Sequence, residues 1–395
     1  MRSYRLYDGA EDLPLHKIVA EISTDALSHN LALLRSLVPK SEPICVVKAD
    51  AYGHTADICV RTLLGDGCRF FAVSCIEEAI SVRRICESEE IFAQILVLGY
   101  TPTSLANELA RYNIIQAALS LDYARELSQK ACEYGVCVRI HVAVDTGMNR
   151  IGVCANSDEE CLCAAEEIEI ISKLNGIILE GMFTHFARSD EEKAITLSSD
   201  SHTRRQGERF VRVKDLLAKK GIKLFTHACN SAATVRFPEF AFDGVRLGIM
   251  LYGIYPSRHM GGLGLRPVMT LKTVIAHIHT VPEGESVSYG GTYKAQRATR
   301  VATLPIGYAD GFLRAYSGAA VTVRSPKGDF KAVVIGRVCM DQCMIDVTGV
   351  EAEIGDTVII FGEDPTDLQR LATLAQTIEY ECLCLVSARV PRIKK

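Results

Sequence analysis

The 395-residue chain reads as an α/β protein, an N-terminal (β/α)8 TIM barrel over residues 18–253 followed by a mainly antiparallel β domain over 254–395, with 1–17 attached to it. Three observations predict this. Eight short apolar runs alternate with helical patterns, and eight is the strand number that closes such a barrel. After Tyr252 the pattern becomes short runs between Gly-, Pro- and Asp-rich turns, which fits antiparallel pairing. Polar residues that are out of place in a strand interior fall at the C-terminal ends of the eight runs, the rim where barrels carry their chemistry.

In chain order, residues 1–17 give no strong helical pattern and are expected to form strands that join the later domain. A short strand at 18–21 precedes Ser23-Thr24-Asp25, an N-cap region. Ala26, Asn30, Leu33, Leu34 and Leu37 then give a helix at 23–38 its inner face, and this helix closes the ring from outside. The barrel strands are expected at 44–48, 69–74, 94–99, 114–119, 138–145, 177–185, 224–227 and 242–248. Helices are expected at 54–64, 76–88, 103–111, 121–134, 157–174, 200–220 and 231–236. In the second domain the runs are 269–277, 300–303, 320–323, 332–335, 344–347 and 357–361, with one helix at 367–376. Gly261-Gly262-Leu263-Gly264 follows no strand and precedes no helix, so it reads as a loop rather than a dinucleotide fingerprint.

Composition narrows the function. A net charge of -4 with interspersed signs argues against nucleic acid or an anionic membrane as partner. No apolar run approaches the ~20 residues of a membrane span, and the first twelve residues lack a signal-peptide core, so a cytoplasmic protein is expected. The fifteen cysteines contain no Cys-x-x-Cys, and pairs such as Cys161/Cys163 and Cys382/Cys384 are poorly spaced for zinc. Most are expected to be core filler. His277-Ile278-His279 puts two histidines on one strand face, but without a nearby carboxylate pair it reads as packed or solvated side chains, and no metal site is expected.

The chemistry centres on Val46-Val47-Lys48-Ala49-Asp50-Ala51-Tyr52-Gly53-His54. An apolar strand delivers one lysine and stops at a glycine-containing turn. A lysine ending a buried strand sits where desolvation lowers its pKa, and a neutral amine can attack a carbonyl. Further along the rim stand Asp145 to Arg150, Thr184-His185, Asn230-Ser231 and Arg246 with Gly248-Ile249. Ser231 and the backbone N–H groups of Gly248 and Ile249 follow strands seven and eight, the usual phosphate site of such barrels. Arg246 lies two residues before Gly248 on the same face of the strand, where it can point at a cofactor ring.

Residues 46–54 resemble the pyridoxal-phosphate lysine motif of the alanine racemases, with Asp50 where asparagine is usual and Thr55 where a second glycine is usual. The likeness continues through HVAVDTGMNRIG (141–152), FTHFARSD (183–190), HACNSAA (227–233), VRLGIMLYG (245–253), SYGGTY (288–293), LPIGYADG (304–311), GRVCMDQ (336–342) and RVPR (389–392), in the family order. Together these runs span nearly the whole chain. The resemblance implies a barrel plus a C-terminal β domain in a head-to-tail homodimer whose sites are shared between subunits. The implied activity is interconversion of L- and D-alanine, supplying D-alanine for cell-wall peptidoglycan, with pyridoxal 5′-phosphate as cofactor. The alternative within the same fold is a serine or broad-spectrum amino-acid racemase.

By the same resemblance, Lys48 is the Schiff-base lysine and one catalytic base, and Tyr289 is the second base, reaching the site of the other subunit. His185 lies near the cofactor ring and Arg246 partners its pyridine nitrogen. Tyr52, Ser231, Gly248, Ile249 and Tyr380 are implied phosphate ligands, and Asn230 is implied to bind the cofactor with them. Arg150 and the backbone of Met340 are implied to hold the substrate carboxylate, and Tyr308 stands at the entrance. Removing the α-proton from one face and returning one to the other needs two bases on opposite faces, which a lysine and a tyrosine can supply. An arginine keeps its charge, so the ring nitrogen opposite it stays unprotonated.

One position departs from the family. Where many members carry a carbamylated lysine that braces the arginine equivalent to Arg150, this chain has Ala143. Arg150 is expected to need another negative partner, since a guanidinium cannot deprotonate and removing a buried charge's partner costs ~3–5 kcal/mol. Either an anion such as chloride fills the gap or Arg150 is held differently, and a bound chloride is the expected substitute. A bulky phenol at Tyr380 beside the phosphate leaves little room for a polar substrate side chain, so alanine is expected to be preferred over serine.

Overall fold

The computed structural model describes residues 17–191 and 201–395. These residues form two compact units. Among the described residues, one contains 27–51, 56–191 and 201–265, and the other contains 17–26, 52–55 and 266–395.

In the first unit, β2 (Glu42–Val46), β3 (Phe70–Val73), β4 (Gln94–Val97), β5 (Ile115–Ala118), β6 (Val138–Asp145), β8 (Ile177–Phe183), β9 (Phe225–His227) and β10 (Gly244–Leu247) follow β1 (Ile18–Ile22) in the chain. Each of the eight pairs in parallel with its neighbours, and β10 returns to β2 while β5 pairs β6, so the ring closes. A two-residue strand, β7 (Val153–Cys154), adds to β6 outside the ring. All eight barrel strands expected from the apolar runs are present. Several read as unbroken buried runs, such as Phe70 to Val73, because helices cover the outer face, whereas the first four residues of β8 are only partly buried or exposed. The helix Thr24–Leu37 contributes Asn30, whose side-chain N–H groups include a donor to Leu251 O at 3.0 Å. The expected helix at 103–111 is a 3-10 turn, Thr103–Leu105, that continues as Ala106–Arg111.

The strand at 18–22 corrects the expected boundary of the barrel domain. It pairs antiparallel with β11 (Met269–Val274), Ile18 opposite Thr273, and parallel with β20 (Arg392–Lys394). It therefore belongs to the sheet of the second unit. Strands expected within 1–16 lie outside the described residues.

That second unit also contains β12 (His277–Val281), β13 (Ser286–Val287), β14 (Tyr293–Lys294), β15 (Thr299–Leu304), β16 (Ala320–Ser325), β17 (Gly328–Ile335), β18 (Cys343–Asp346) and β19 (Thr357–Phe361). Apart from the β13–β14 hairpin, they form one nine-stranded sheet in the order β12-β15-β18-β17-β16-β19-β11-β1-β20. The run expected at 269–277 is two strands, since the chain breaks between Val274 and His277. A second helix, Glu379–Leu385, follows Pro365–Leu374 and was not apparent in the sequence pattern. Residues 261–264 are a loop. Of the fifteen cysteines, eight are buried and five exposed, so core filling accounts for a bare majority. His277 and His279 are exposed and stack at 5.2 Å. Among the described residues no helix is long and apolar enough to cross a membrane.

Candidate active site

Lys48 follows the last barrel-forming residues of β2 and opens a left-handed turn. Ala49, Asp50, Ala51 and Tyr52 have φ of 52°, 53°, 57° and 54°. For residues with a Cβ this conformation costs about 1–2 kcal/mol each, so the turn persists only because other groups hold it. Glu78 does so from the helix Ile76–Ser88: its carboxylate accepts the N–H of Ala49 at 2.7 Å and that of Ser74 at 2.8 Å. Asp50 Oδ1 accepts the N–H of Ala56, the first residue of the next helix, at 2.7 Å. The departure from asparagine at position 50 thus leaves an acceptor in place. Gly53 ends the turn at φ 81°, where a Cβ would run into the Leu383 carbonyl. Buried His54 places Nδ1 3.0 Å from Tyr52 O.

At the end of β6, the buried carboxylate of Asp145 organises the loop that carries Arg150. Oδ1 accepts the N–H groups of Gly147, Met148 and Asn149 at 2.9, 2.9 and 3.0 Å, and Oδ2 accepts that of Arg150 at 3.0 Å. The Arg150 side chain is exposed and forms no ion pair among the described residues. Within the chain it is therefore no buried charge. Ala143 packs in an apolar cluster with Ala117 and Phe183.

Arg246 is the electrostatic centre of the barrel rim. Only 4% exposed, it donates from Nη1 to His227 Nδ1 at 2.7 Å and His227 O at 3.0 Å. Nη2 donates to Thr184 O at 2.7 Å, Ala228 O at 2.8 Å and His185 Nδ1 at 3.2 Å. Burial lowers its pKa to about 10, which leaves it charged at neutral pH. His185 is held well below the usual imidazole range, first by burial and then by the charges of Arg246, Arg150 and Lys48. Arg246 meets this imidazole directly, and the charges of Arg150 and Lys48 act on it in the same direction. A guanidinium cannot accept, so His185 accepts through Nδ1 and carries its proton on Nε2.

After β9 and β10, buried Ser231 accepts the Gly248 N–H at 2.9 Å, and its own proton has no acceptor among the described residues. Ile249 opens a 3-10 turn, Ile249–Tyr252, whose first N–H groups lack partners inside the turn. Asn230 has a different task. Its Oδ1 caps the helix Ser231–Arg236 through Ala233 N at 2.9 Å and receives Ser189 Oγ at 2.9 Å, while Nδ2 donates to Phe186 O at 3.3 Å.

The remaining candidates lie in the second unit. Tyr52 and Tyr380 rings approach to 6.2 Å, and burial pushes the Tyr52 phenol well up from its ordinary pKa. Tyr289, 70% exposed, and Met340, 54% exposed, line one open groove of about 820 Å³ with His279, Cys339 and Asp341. Tyr308 is tied to the same loop: its N–H donates to Cys339 O at 3.1 Å and that of Ala309 to Met340 O at 3.0 Å.

Several supporting residues were not singled out from sequence. They are Glu78, the donor–acceptor pair His141 and His227, and fully buried Gln206, which accepts Ala187 N–H at 3.0 Å and donates to His185 O at 3.0 Å. A polar residue inside an apolar strand, as at His141, was the available signal; Glu78 and Gln206 sit on amphipathic helices and look like solvent-face residues.

The donor set suits pyridoxal 5′-phosphate, the cofactor that the family likeness implies. Four of the five N–H donors of Arg246 are spent on the protein, which leaves Nε–H for a ring nitrogen. The Ser231 hydroxyl and the adjacent backbone N–H groups suit a phosphate.

Comparison with known proteins agrees. The family model for the alanine racemase N-terminal domain matches residues 22–256, and that for the C-terminal domain matches 268–394. Alanine racemase 1 of Clostridium acetobutylicum is 42% identical over 386 residues, covering 96% of this chain and 95% of that protein. The solved alanine racemase of Clostridium difficile 630 superposes with a TM-score of 0.87 at 36% identity, covering 97% of each chain. That of Bacillus anthracis with bound L-Ala-P gives 0.84 at 31% identity, covering 97% of this chain and 96% of its own. The chain belongs to the alanine racemase family.

Proposed function

We propose that the protein interconverts L- and D-alanine as a cytoplasmic homodimer with pyridoxal 5′-phosphate, and so supplies D-alanine for peptidoglycan. The observation that carries this is the Arg246 cluster: a buried guanidinium with one unspent N–H, flanked by two neutral imidazoles, on the rim that bears Lys48. Pyridoxal 5′-phosphate, when bound, supplies an electron sink for the substrate's α-carbon.

Lys48 holds the cofactor and, once its amine is released, takes or returns the α-proton on one face. The partner subunit's Tyr289 serves the other face, which accounts for its exposure in the single chain. Arg246 keeps its proton and directs Nε–H at the ring nitrogen, so it orients without protonating. Ser231, Gly248, Ile249, Tyr52 and Tyr380 hold the phosphate, and Asn230 positions Ser231 by capping its helix. Arg150 and the backbone of the partner subunit's Met340 hold the substrate carboxylate, with chloride as the counter-ion of Arg150. Tyr308 guards the entrance.

The test is racemisation across a panel of L-amino acids, with wild type and Lys48→Ala. Alanine should be the preferred substrate, ahead of serine. The variant should lose the visible absorbance of covalently held cofactor and at least about a thousandfold in turnover. A variant that keeps borohydride-fixable cofactor at full occupancy would remove Lys48 from its role, and serine turning over faster than alanine would change the substrate.

A further inference from the structure

Behind Arg246 the barrel interior continues in a relay that the reaction above does not use. His227 Nδ1 accepts from Arg246 Nη1 at 2.7 Å, and His227 Nε2 lies 3.0 Å from His141 Nδ1. Because a guanidinium only donates, the His227 proton must sit on Nε2. That N–H donates to His141 Nδ1, so His141 carries its own proton on Nε2. The Arg246 guanidinium on one side and the His141 lone pair on the other thereby hold His227 in one tautomer.

The place of His141 is built into the fold. The β6–β8 register shifts between Ile140 and His141, so that His141 falls opposite Gly181 rather than Glu180. Arg139 pins the extra residue through a 2.7 Å ion pair with Glu180. A Cβ at Gly181 would lie 2.6 Å from the His141 imidazole, so only glycine admits the ring. Phe70 meets it edge-on at 6.0 Å, and Phe183 stacks on His227 at 5.1 Å. His141 is 1% and His227 0% exposed. Burial, then the neighbouring Arg139 charge, lowers the His141 pKa to about 3, and burial with Arg246 holds His227 well down also. Both rings are neutral at working pH.

We propose that His141 is a positioning residue for the reaction: its Nδ1 lone pair holds His227 in the Nε2–H tautomer, and that tautomer presents the acceptor that orients the Arg246 guanidinium toward the cofactor ring. This rests on Arg246 as the ring-nitrogen partner. Without an acceptor at position 141, the His227 N–H is orphaned in an apolar pocket. It recovers a partner only by turning, which withdraws Nδ1 from Arg246.

The experiment uses the holoenzyme with 15N-labelled histidine rings, together with His141→Leu, His141→Asn and Gly181→Ala. Asparagine offers an oxygen near the place of Nδ1. In the wild type, both His141 and His227 should show neutral Nε2–H tautomers that do not titrate above about pH 5. His141→Leu should change the His227 ring shifts and the visible absorbance of the bound cofactor, and lower kcat about tenfold while KM for alanine stays within about threefold. His141→Asn should restore kcat to within about threefold, and Gly181→Ala should follow His141→Leu. A wild-type Nδ1–H tautomer at either ring overturns the proposal, as does an equal loss in His141→Leu and His141→Asn, which would make ring volume the cause. Should His141→Leu fail to fold, the wild-type tautomers and His141→Asn decide. If the wild type neither binds pyridoxal 5′-phosphate nor racemises alanine, the proposed function fails, and the ring shifts still test the relay.

Discussion

Arg246 and Arg150 are two buried-site expectations that the structure treats in opposite ways. Arg246 enters the barrel interior with carbonyls and imidazole lone pairs as its acceptors, so its charge is balanced by dipoles. Arg150 stands exposed, held through its backbone N–H by Asp145. The expected cost of an unpaired buried charge therefore does not arise within one chain, and it would arise only where another subunit covers the guanidinium while no carboxylate is bound. Chloride should accordingly raise activity at constant ionic strength through KM for alanine. Ala143→Lys should weaken that dependence if the new lysine carbamylates, although the apolar cluster around Ala143 makes the substitution destabilising. Kinetics indifferent to chloride, or a refined map with no anion beside Arg150, would remove the halide.

At the scale of elements, the turn after Lys48 depends on a neighbouring helix. Four residues in the left-handed region store about 4–8 kcal/mol together, and Glu78 offsets part of it with two charge-assisted bonds. Glu78→Ala should lower the stability of the barrel by on the order of 2 kcal/mol, read by urea denaturation, and weaken retention of pyridoxal 5′-phosphate. A variant with unchanged stability and cofactor retention would show that the turn holds itself. Which parts of these elements were legible follows from range. Strand and helix positions came from local periodicity, as in the helix Ile76–Ser88, expected at 76–88. The helix Glu379–Leu385 was missed because seven residues with cysteines at alternate positions carry little helical pattern.

For the whole molecule, two measurements separate internal stability from assembly. His141 is neutral when folded and titrates near 6.5 when unfolded, so below about pH 6.5 the unfolded state binds more protons. Stability is thus retained above that pH and lost as pH falls toward the folded pKa of about 3. At pH 5 the loss from His141 is about 2 kcal/mol, and His227 adds in the same direction. Thermal melts at pH 5 and pH 7 should differ accordingly, and His141→Asn should reduce the difference; an unchanged difference would put the acid sensitivity elsewhere. The shared site is tested by mixing Lys48→Ala and Tyr289→Phe subunits. One of the two sites in each mixed dimer then holds both intact residues and should regain activity, whereas confirmed mixed dimers without activity would refute sharing. Tyr289→Phe alone should retain solvent-deuterium exchange better from one enantiomer of alanine than from the other.

By itself the sequence determined the eight barrel strands, the β character of the second domain and the rim positions of Lys48, Asp145, His185, Ser231 and Arg246. The reason is local: an apolar run ends where a polar residue must leave the interior, so strand ends and rim residues are marked together. Tertiary structure alone decided which sheet takes Ile18–Ile22, because a short apolar strand reads the same whichever edge it meets. It also decided the left-handed turn, the engagement of Asn230 as a cap and the exposure of Arg150. The tautomers of His141 and His227 belong there too, since a proton's position on an imidazole is set by the groups that meet its two nitrogens, here brought together from β6, β9 and β10.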